Sequence, residues 1–206
     1  MKNFELQYGT DGLVAGVLAG GLSRRLGIDK ALIRWNGKTL LEHSLDSASG
    51  LSEDVYVLTK NRSAYERFGY PVLTDVLSTA TPLSGIITII PFVDEWLLLT
   101  ACDIVILAED LLPAMWDCRS PGKAVVVRSQ EGLQPFLGLY PAGLLPLWEQ
   151  AYRNGNFKLQ TILAGMPKVI LETGQLEKDF GLAPVFANIN RMTDIKILQG
   201  MRVMCE

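Results

Sequence analysis

The chain has little of the residue types that build metal clusters and disulfide frameworks. It contains one histidine, His43, and three widely spaced cysteines, Cys102, Cys118 and Cys205. A single histidine excludes a multi-histidine zinc site. Three distant cysteines without a CxxC pair fit a reducing compartment better than a disulfide-stabilised fold. We therefore expect a cytoplasmic protein that is stabilised by a hydrophobic core.

Signals for secretion and for membrane insertion are also lacking. The N-terminal sequence MKNFELQYGTDG has no apolar stretch of the kind found in signal peptides. The most apolar region, Ile86 to Leu107, is interrupted by Pro91, Asp94, Glu95 and Asp103. Such a segment is too polar to cross a bilayer. We expect no membrane association.

The charge of the whole chain is slightly negative, but one segment is basic. The net charge of −3 gives no general attraction to nucleic acid. Between Gly20 and Leu41, however, one acid, Asp29, is accompanied by five basic residues: Arg24, Arg25, Lys30, Arg34 and Lys38. This local excess predicts a small anionic ligand, and a solvated basic face is the alternative interpretation.

Short apolar runs alternate with helix-like segments along the chain. Seven runs are predicted strands: Leu13–Ala19, Asp54–Thr59, Pro71–Leu73, Glu95–Thr100, Ala124–Arg128, Phe136–Tyr140 and Lys168–Leu171. Several are apolar throughout, which is typical of parallel strands that are buried on both faces. Seven segments are predicted helices: Thr39–Ser49, Ser63–Phe68, Leu83–Phe92, Ala108–Trp116, Gly143–Arg153, Leu159–Ala164 and Thr193–Gln199.

This alternation predicts an α/β fold, a three-layer Rossmann-like domain with a mainly parallel central sheet. At 206 residues we expect a single domain, 1–206. Thr39 with Glu42 has the spacing of a capping box at a helix start, and Asn36-Gly37 predicts a tight turn. Ligands of such sheets bind beyond the carboxyl ends of the strands, so the loops there should hold the functional residues.

The loop after the first strand combines glycine with positive charge. Gly20 and Gly21 allow a sharp turn whose backbone amides can bind an anion, and Arg25 and Lys30 add mobile positive charge. Neither the GxxxxGK[ST] nor the GxGxxG phosphate-binding pattern is present. The combination of two glycines, a serine, an arginine, a third glycine and an Asp-Lys pair is a specific motif.

This motif closely resembles the opening signature of the molybdenum cofactor guanylyltransferases, the MobA family, which have a nucleotide-diphospho-sugar transferase-like fold. The resembling residues are Leu18-Ala19-Gly20-Gly21-x-Ser23-x-Arg25-x-Gly27-x-Asp29-Lys30. Further matches follow in the family's order at Asn36–His43, Asp75, Pro82-Leu83-Ser84-Gly85, Cys102-Asp103 and Asn188-Ile189-Asn190.

The resemblance implies transfer of GMP from GTP to the terminal phosphate of molybdopterin, with Mg²⁺ as cofactor. From the charge and hydropathy of the chain we expect no nucleic-acid or membrane partner. It implies catalytic roles for Arg25, Lys30 and Asp103, with Asp103 as the metal ligand. It also implies nucleotide contacts at Leu18, Ala19, Gly20, Gly21, Lys30, Asp75, Asp103, Asn188 and Asn190. Protein partners and oligomeric state are not predicted.

The residues themselves leave structural alternatives open. Asp103 could cap a following helix, Asp75 could form an Asx-turn, and the two asparagines could cap the final helix, with no preference between Asn188 and Asn190 as the ligand contact. His43 and Cys102 fit packing roles better than catalytic ones.

Four positions depart from the family pattern. Leu26 stands where methionine is usual, Thr59 where asparagine is usual, Gln134-Pro135 where His-Pro is usual, and Phe157-Lys158 where a basic pair is usual. The last two lie where the resemblance places the acceptor. A cytidylyltransferase, a sugar-phosphate enzyme or a non-catalytic nucleotide-binding module are therefore the alternatives, although Gly20 and Pro82-Leu83-Ser84-Gly85 favour guanine.

Overall fold

A seven-stranded sheet forms the centre of the computed structural model, which describes residues 10–20, 29–77, 81–191 and 193–196. The strands are β1 (Leu13–Leu18), β2 (Arg34–Trp35), β3 (Lys38–Thr39), β4 (Asp54–Thr59), β5 (Val72–Thr74), β6 (Trp96–Ala101), β7 (Ile104–Ile106), β8 (Ala124–Ser129), β9 (Gly132–Pro141), β10 (Lys168–Glu172) and β11 (Phe186–Asn188). The helices are α1 (Leu40–Ser49), α2 (Arg62–Tyr65), α3 (Pro82–Ile89), α4 (Leu111–Asp117), α5 (Pro146–Arg153), α6 (Leu159–Ala164) and α7 (Thr173–Phe180).

The main sheet has the strand order β10-β8-β9-β6-β1-β4-β5 and is mainly parallel, as predicted. The exception is β9, which runs antiparallel to both of its neighbours, β6 and β8. Only two residues, Gln130 and Glu131, separate β8 from β9, and so short a connection requires an antiparallel pair. All seven predicted strands are present, although β9 begins four residues before the predicted start at Phe136.

Helices cover both faces of the sheet, which confirms the three-layer architecture. Side chains of β1 alternate, so that Ala15 and Val17 contribute to one core and Val14 to the other. The first core packs against α1, α4 and α7, and the second packs against α3, α5 and α6. Burial of both faces explains why these strands are apolar throughout.

The short elements differ most from the prediction. The tight turn at Asn36-Gly37 is confirmed, with φ of 49° and 80° as a two-residue hairpin requires, but the flanking strands β2 and β3 were not predicted. Nor were β7, β11 and α7. Helix α4 begins at Leu111 rather than Ala108, because the amide of Ala108 donates to the carbonyl of Val185 and continues the β7–β11 pairing.

The helices predicted to begin at Thr39 and Thr193 are present in the described residues. Helix α1 begins with the predicted capping box of Thr39 and Glu42. Residues 193–196 are helical, and the remainder of the predicted helix to Gln199 lies outside the described residues. Among the helices that the structure describes, none is both long enough and apolar enough to cross a membrane.

Candidate active site

The carboxyl end of β1 lies between two neighbouring strands and leads into the glycine turn. The amide of Ala19 donates to the carbonyl of Leu58 at 2.9 Å, and the carbonyl of Leu18 accepts from the amide of Cys102 at 2.9 Å. Gly20 has a φ of 111°, and a Cβ atom there would lie 3.1 Å from Thr59 Oγ1. Glycine is therefore required at this turn by both conformation and space. Gly21 and Arg25, which were predicted to bind the nucleotide and to act in catalysis, lie outside the described residues.

Three of the predicted site residues converge beside this turn. Lys30 Nζ lies 3.4 Å from Asp103 Oδ2 and donates a hydrogen bond to Asn190 Oδ1 at 3.1 Å. The three residues are separated by 73 and 160 positions in the chain, so only the fold brings them together. Lys30, Asp103 and Asn190 together are called the lysine centre. The side chains of Lys30 and Asp103 are 19% and 37% exposed, so the centre is open to a ligand yet partly shielded from water.

Local backbone pairing places Asp103 and Asn190 side by side. Asp103 lies in the turn between β6 and β7, and its carbonyl accepts from the amide of Ile189 at 2.7 Å. Because β7 pairs with β11, Asn190, which follows Ile189, lies beside Asp103. The interpretation of Asp103 as a helix cap is wrong, since the element that follows it is a strand.

A small hydrophobic cluster lies behind this polar centre. It contains Ile33, Trp35, Leu40, Val105, Ile189 and Ile195, which come from the β2–β3 hairpin, α1, β7 and the two sides of Asn190. The carboxylate of Asp194 accepts from the amides of Asn190 and Arg191, both at 2.7 Å, and so fixes the chain after β11. The polar side chains are thus held by apolar neighbours in their own segments.

Asp75 lies on the other side of the glycine turn. It follows β5, its amide donates to the carbonyl of Thr59 at 3.0 Å, and a Cβ atom on Gly85 would lie 3.6 Å from its Oδ1. Burial raises the pKa of Asp75, while the positive charge of Lys60 and a hydrogen bond from Ser84 oppose that rise. Three strand spacings of about 4.8 Å separate β5 from β6, so we infer that Asp75 and Asp103 contact different parts of a ligand.

Asn188 is separate from the lysine centre. Its amide nitrogen lies 3.5 Å from Glu131 Oε2, at the edge of an open cavity of about 630 Å³. Ser129, Glu131, Thr173 and Asn188 are among the lining residues, which come from the carboxyl ends of β8 and β10 and from α7 and β11. The structure therefore distinguishes the two asparagines, since Asn190 contacts Lys30 and Asn188 borders the cavity.

The positions that depart from the family pattern have mixed environments. Thr59 is buried, and its hydroxyl accepts from the amide of Asn61 at 3.1 Å. Gln134 donates to Ser129 Oγ at 2.9 Å beside the cavity. Phe157 is exposed and packs edge-on against Tyr152, whose side chain belongs to the second core.

The two residues predicted to pack do so. Cys102 is buried, and burial raises the pKa of its thiol to about 12, so it is a neutral side chain at physiological pH. His43 Nε2 lies 2.8 Å from the carbonyl of Trp35, and the two rings are in contact. Both side chains serve the framework around the site.

Sequence reasoning missed a second group of site residues. Tyr65 and Glu131 were not singled out, and Asp29 was only a motif position. Tyr65 donates to Asp29 Oδ2, and 36 positions separate the two residues. No spacing rule connects a tyrosine on a short helix with a loop so distant, so this pair can be identified only in the folded chain.

The oxygen atoms at the centre fit a small hard cation. Asp103 supplies a carboxylate and Asn190 an amide oxygen, and both face Lys30. Mg²⁺ requires only one or two carboxylates from a protein when phosphate oxygens and water complete its coordination. Among the described residues there is no cluster of three or more His, Cys, Asp and Glu side chains that could hold a metal alone.

The chain is similar in sequence to known nucleotidyltransferases. Residues 15–170 match the family of MobA-like NTP transferase domains. A molybdenum cofactor guanylyltransferase from Pseudomonas putida is 34% identical over 155 residues, which are 71% of this chain and 80% of the relative. Another from Yersinia pestis is 27% identical over 190 residues, which are 90% of this chain and 94% of the relative.

The fold is shared with a solved structure from this group. The molybdopterin-guanine dinucleotide biosynthesis protein A from Archaeoglobus fulgidus superposes with a TM-score of 0.76 at 20% identity, covering 92% of this chain and 98% of that one. Fold, motif order and sequence similarity agree with the resemblance found in the motifs. The chain therefore belongs to the MobA-like NTP transferase family and is a nucleotidyltransferase.

Proposed function

We propose that this chain transfers GMP from GTP to the terminal phosphate of molybdopterin and releases pyrophosphate. The observation that carries the proposal is the convergence of Lys30, Asp103 and Asn190 beside the Gly20 turn. A lysine ammonium, a carboxylate and an amide oxygen at the carboxyl end of a parallel sheet suit a nucleoside triphosphate and its cation. The names of the relatives from Pseudomonas putida and Yersinia pestis support guanine as the base.

The two sides of the glycine turn give the nucleotide a direction. Asp75 lies on the β5 side, where a carboxylate can accept hydrogen bonds from the N1–H and 2-amino groups of guanine. Lys30 lies on the β7 side, where positive charge favours the phosphates. Leu18, Ala19 and Gly20 lie between these two sides and would contact the nucleoside. Gly21 and Arg25 belong to the same loop, and we assign them to the phosphates.

Transfer requires mainly positioning and charge neutralisation. An oxygen of the acceptor phosphate attacks the α-phosphorus of GTP, the bond to the β-phosphate oxygen breaks, and pyrophosphate leaves with the electron pair. Lys30 stabilises the negative charge that develops on these oxygens. Asp103 and Asn190 would hold Mg²⁺, which supplies Lewis-acid stabilisation of the phosphates when it is bound. No side-chain base is needed, because the attacking phosphate is already an anion.

The acceptor would occupy the cavity beside Asn188. One of its lining residues, Asn188, is two positions from Asn190 in the chain. Its volume of about 630 Å³ falls within the range of small-molecule sites. Glu131 and Ser129, which line the cavity, can accept and donate hydrogen bonds, as recognition of a pterin ring requires.

The deciding experiment is a pyrophosphate-release assay with each nucleoside triphosphate, with and without molybdopterin and with and without Mg²⁺. We expect release only with GTP, molybdopterin and Mg²⁺ together. Preferred turnover of CTP would make the chain a cytidylyltransferase, and turnover with a sugar phosphate in place of molybdopterin would change the acceptor. Binding of GTP without any turnover would indicate a nucleotide-binding module.

A further inference from the structure

Tyr65 is hydrogen-bonded to Asp29, which precedes Lys30 of the candidate active site in the chain. Its side chain is 1% exposed, and its hydroxyl donates a hydrogen bond to Asp29 Oδ2 at 2.5 Å. The other carboxylate oxygen of Asp29 accepts from the amide of Ala31 at 3.0 Å. Lys30 lies between Asp29 and Ala31 in the chain. A buried phenol therefore holds the carboxylate that fixes the backbone on both sides of Lys30.

The same hydroxyl also lies near the other end of the glycine loop. A Cβ atom on Gly20 would be 3.6 Å from the Tyr65 oxygen. Gly20 and Asp29 flank the stretch 21–28, so the chain leaves β1 and returns to the 3₁₀ turn at Lys30 beside one side chain. Tyr65 therefore lies beside both of the described residues that flank this stretch.

The hydrogen bond between Tyr65 and Asp29 is strengthened by the charge of its acceptor. Burial raises the pKa of Tyr65, and the hydrogen bond and negative charge of Asp29 raise it further, so the hydroxyl stays protonated and donates. A hydrogen bond to a carboxylate is shorter and stronger than one between neutral groups. Asp29 is partly buried, so removal of the hydroxyl would leave one of its carboxylate oxygens without this donor.

We propose that Tyr65 is a positioning residue for Lys30: its hydroxyl fixes Asp29, and Asp29 fixes the backbone that directs the lysine toward Asp103 and Asn190. The proposal rests on the proposed function for the role of Lys30 in transfer. The Tyr65 hydroxyl is hydrogen-bonded to Asp29, so its effect must pass through the lysine that follows Asp29.

The first test is Tyr65→Phe, which keeps the ring and removes the hydroxyl. We expect kcat to fall about 10- to 100-fold, the usual effect of losing a residue that orients a ligand group. KM for GTP should change little, because a misplaced Lys30 loses interactions made mainly in the transition state. The matched control is Tyr140→Phe, since Tyr140 is also fully buried and donates its hydroxyl, to the carbonyl of Pro135 at 2.7 Å on β9. The control should keep its kcat.

A double-mutant cycle with Lys30→Met separates positioning from general loosening. If Tyr65 acts through Lys30, Tyr65→Phe should cause no further loss in the Lys30→Met background. An equal loss in both backgrounds, or no loss in either, would overturn the inference. If Lys30→Met itself keeps full activity, the proposed role of Lys30 fails, and the role of Tyr65 as its positioning residue fails with it.

A second measurement does not depend on turnover. Amide hydrogen exchange at Ala31, followed by NMR, reports whether Asp29 is held. Tyr65→Phe should speed this exchange roughly tenfold or more, because the lost bond is charge-assisted. Tyr140→Phe should leave it unchanged. Unchanged exchange in Tyr65→Phe would overturn the inference even in a protein that transfers GMP, and faster exchange in a protein with no transferase activity would support it while the proposed function fails.

Discussion

Replacement of Asp103 by asparagine distinguishes two possible roles of this residue, a metal ligand and an ion-pair partner of Lys30. The ion pair spans 3.4 Å, and the Asp103 side chain is 37% exposed. Two unit charges at that distance attract by about 5 kcal/mol at an effective dielectric constant of about 20. Solvent screening and desolvation reduce the net contribution of such exposed pairs to about 0–1 kcal/mol. Asp103→Asn should therefore lower the melting temperature by no more than about 4 °C in a chain of this length.

Catalysis should respond much more strongly than stability. Asparagine keeps the size of Asp103 but removes the charge that attracts Mg²⁺, so the variant should need far more Mg²⁺ to reach half its maximal rate. We expect a loss on the order of 10²–10³ in rate at the Mg²⁺ concentration that saturates the wild type. The assay is pyrophosphate release from GTP and molybdopterin as a function of Mg²⁺ concentration.

A matched control comes from a second exposed ion pair. Asp46 pairs with Lys38, and both side chains are more than half exposed. Asp46→Asn removes a similar charge from the surface away from the centre, and its Mg²⁺ curve should match that of the wild type. If the Asp103→Asn curve also matches, the metal is bound elsewhere, and Asp103 serves only to orient Lys30.

Two further variants test the two sides of the glycine turn. Lys30→Met should stay folded and lose on the order of 10²–10³ in kcat. Stopped-flow or steady-state pyrophosphate release measures this loss. Near-normal turnover would contradict the assignment of Lys30 to the phosphates. Asp75→Asn should bind GTP about tenfold more weakly or worse, because a charged hydrogen-bond acceptor is lost. In urea unfolding it should nevertheless be more stable than the wild type at pH 7. Burial raises the pKa of Asp75 in the folded protein above its ordinary value of 3.8. Between pH 3.8 and this raised pKa the unfolded chain releases the proton more readily than the folded one, so the free energy of unfolding of the wild type falls as pH rises. Asp75→Asn has no carboxyl group at this position and does not show this decrease. The two stabilities should converge below pH 3.8, and a wild type that gains relative stability with rising pH would contradict this reasoning.

The main sheet could be predicted because its strands are buried on both faces. Runs such as Leu13–Leu18 and Trp96–Ala101 are almost entirely apolar, and this composition marks a central strand whatever surrounds it. Composition does not record strand direction, so the antiparallel orientation of β9 could not be read from Phe136–Tyr140. The three-residue strands β7 and β11 are too short for any periodicity to be visible.

The site was predictable to the extent that its residues lie in contiguous motifs. Lys30, Asp103 and Asn190 each belong to a short stretch that resembles a known family, and the structure brings these three together. The family resemblance could not distinguish Asn188 from Asn190, because both lie in one three-residue motif. Their separation depends on the β7–β11 pairing, which fixes where each side chain lies.

The convergence of the polar residues is encoded by the apolar residues next to them. Ile33 is three positions after Lys30, Val105 two after Asp103, and Ile189 one before Asn190, and all three are buried in one cluster. Burying these side chains together gives a free-energy gain of about 1.5–3 kcal/mol for each, whereas the exposed polar contacts between their neighbours contribute less. The hydrophobic cluster therefore brings the segments that carry the lysine, the carboxylate and the amide together, and the Tyr65–Asp29 hydrogen bond then directs Lys30 within its own segment. The contacts among Lys30, Asp103 and Asn190 themselves are consequently not required for the three segments to meet.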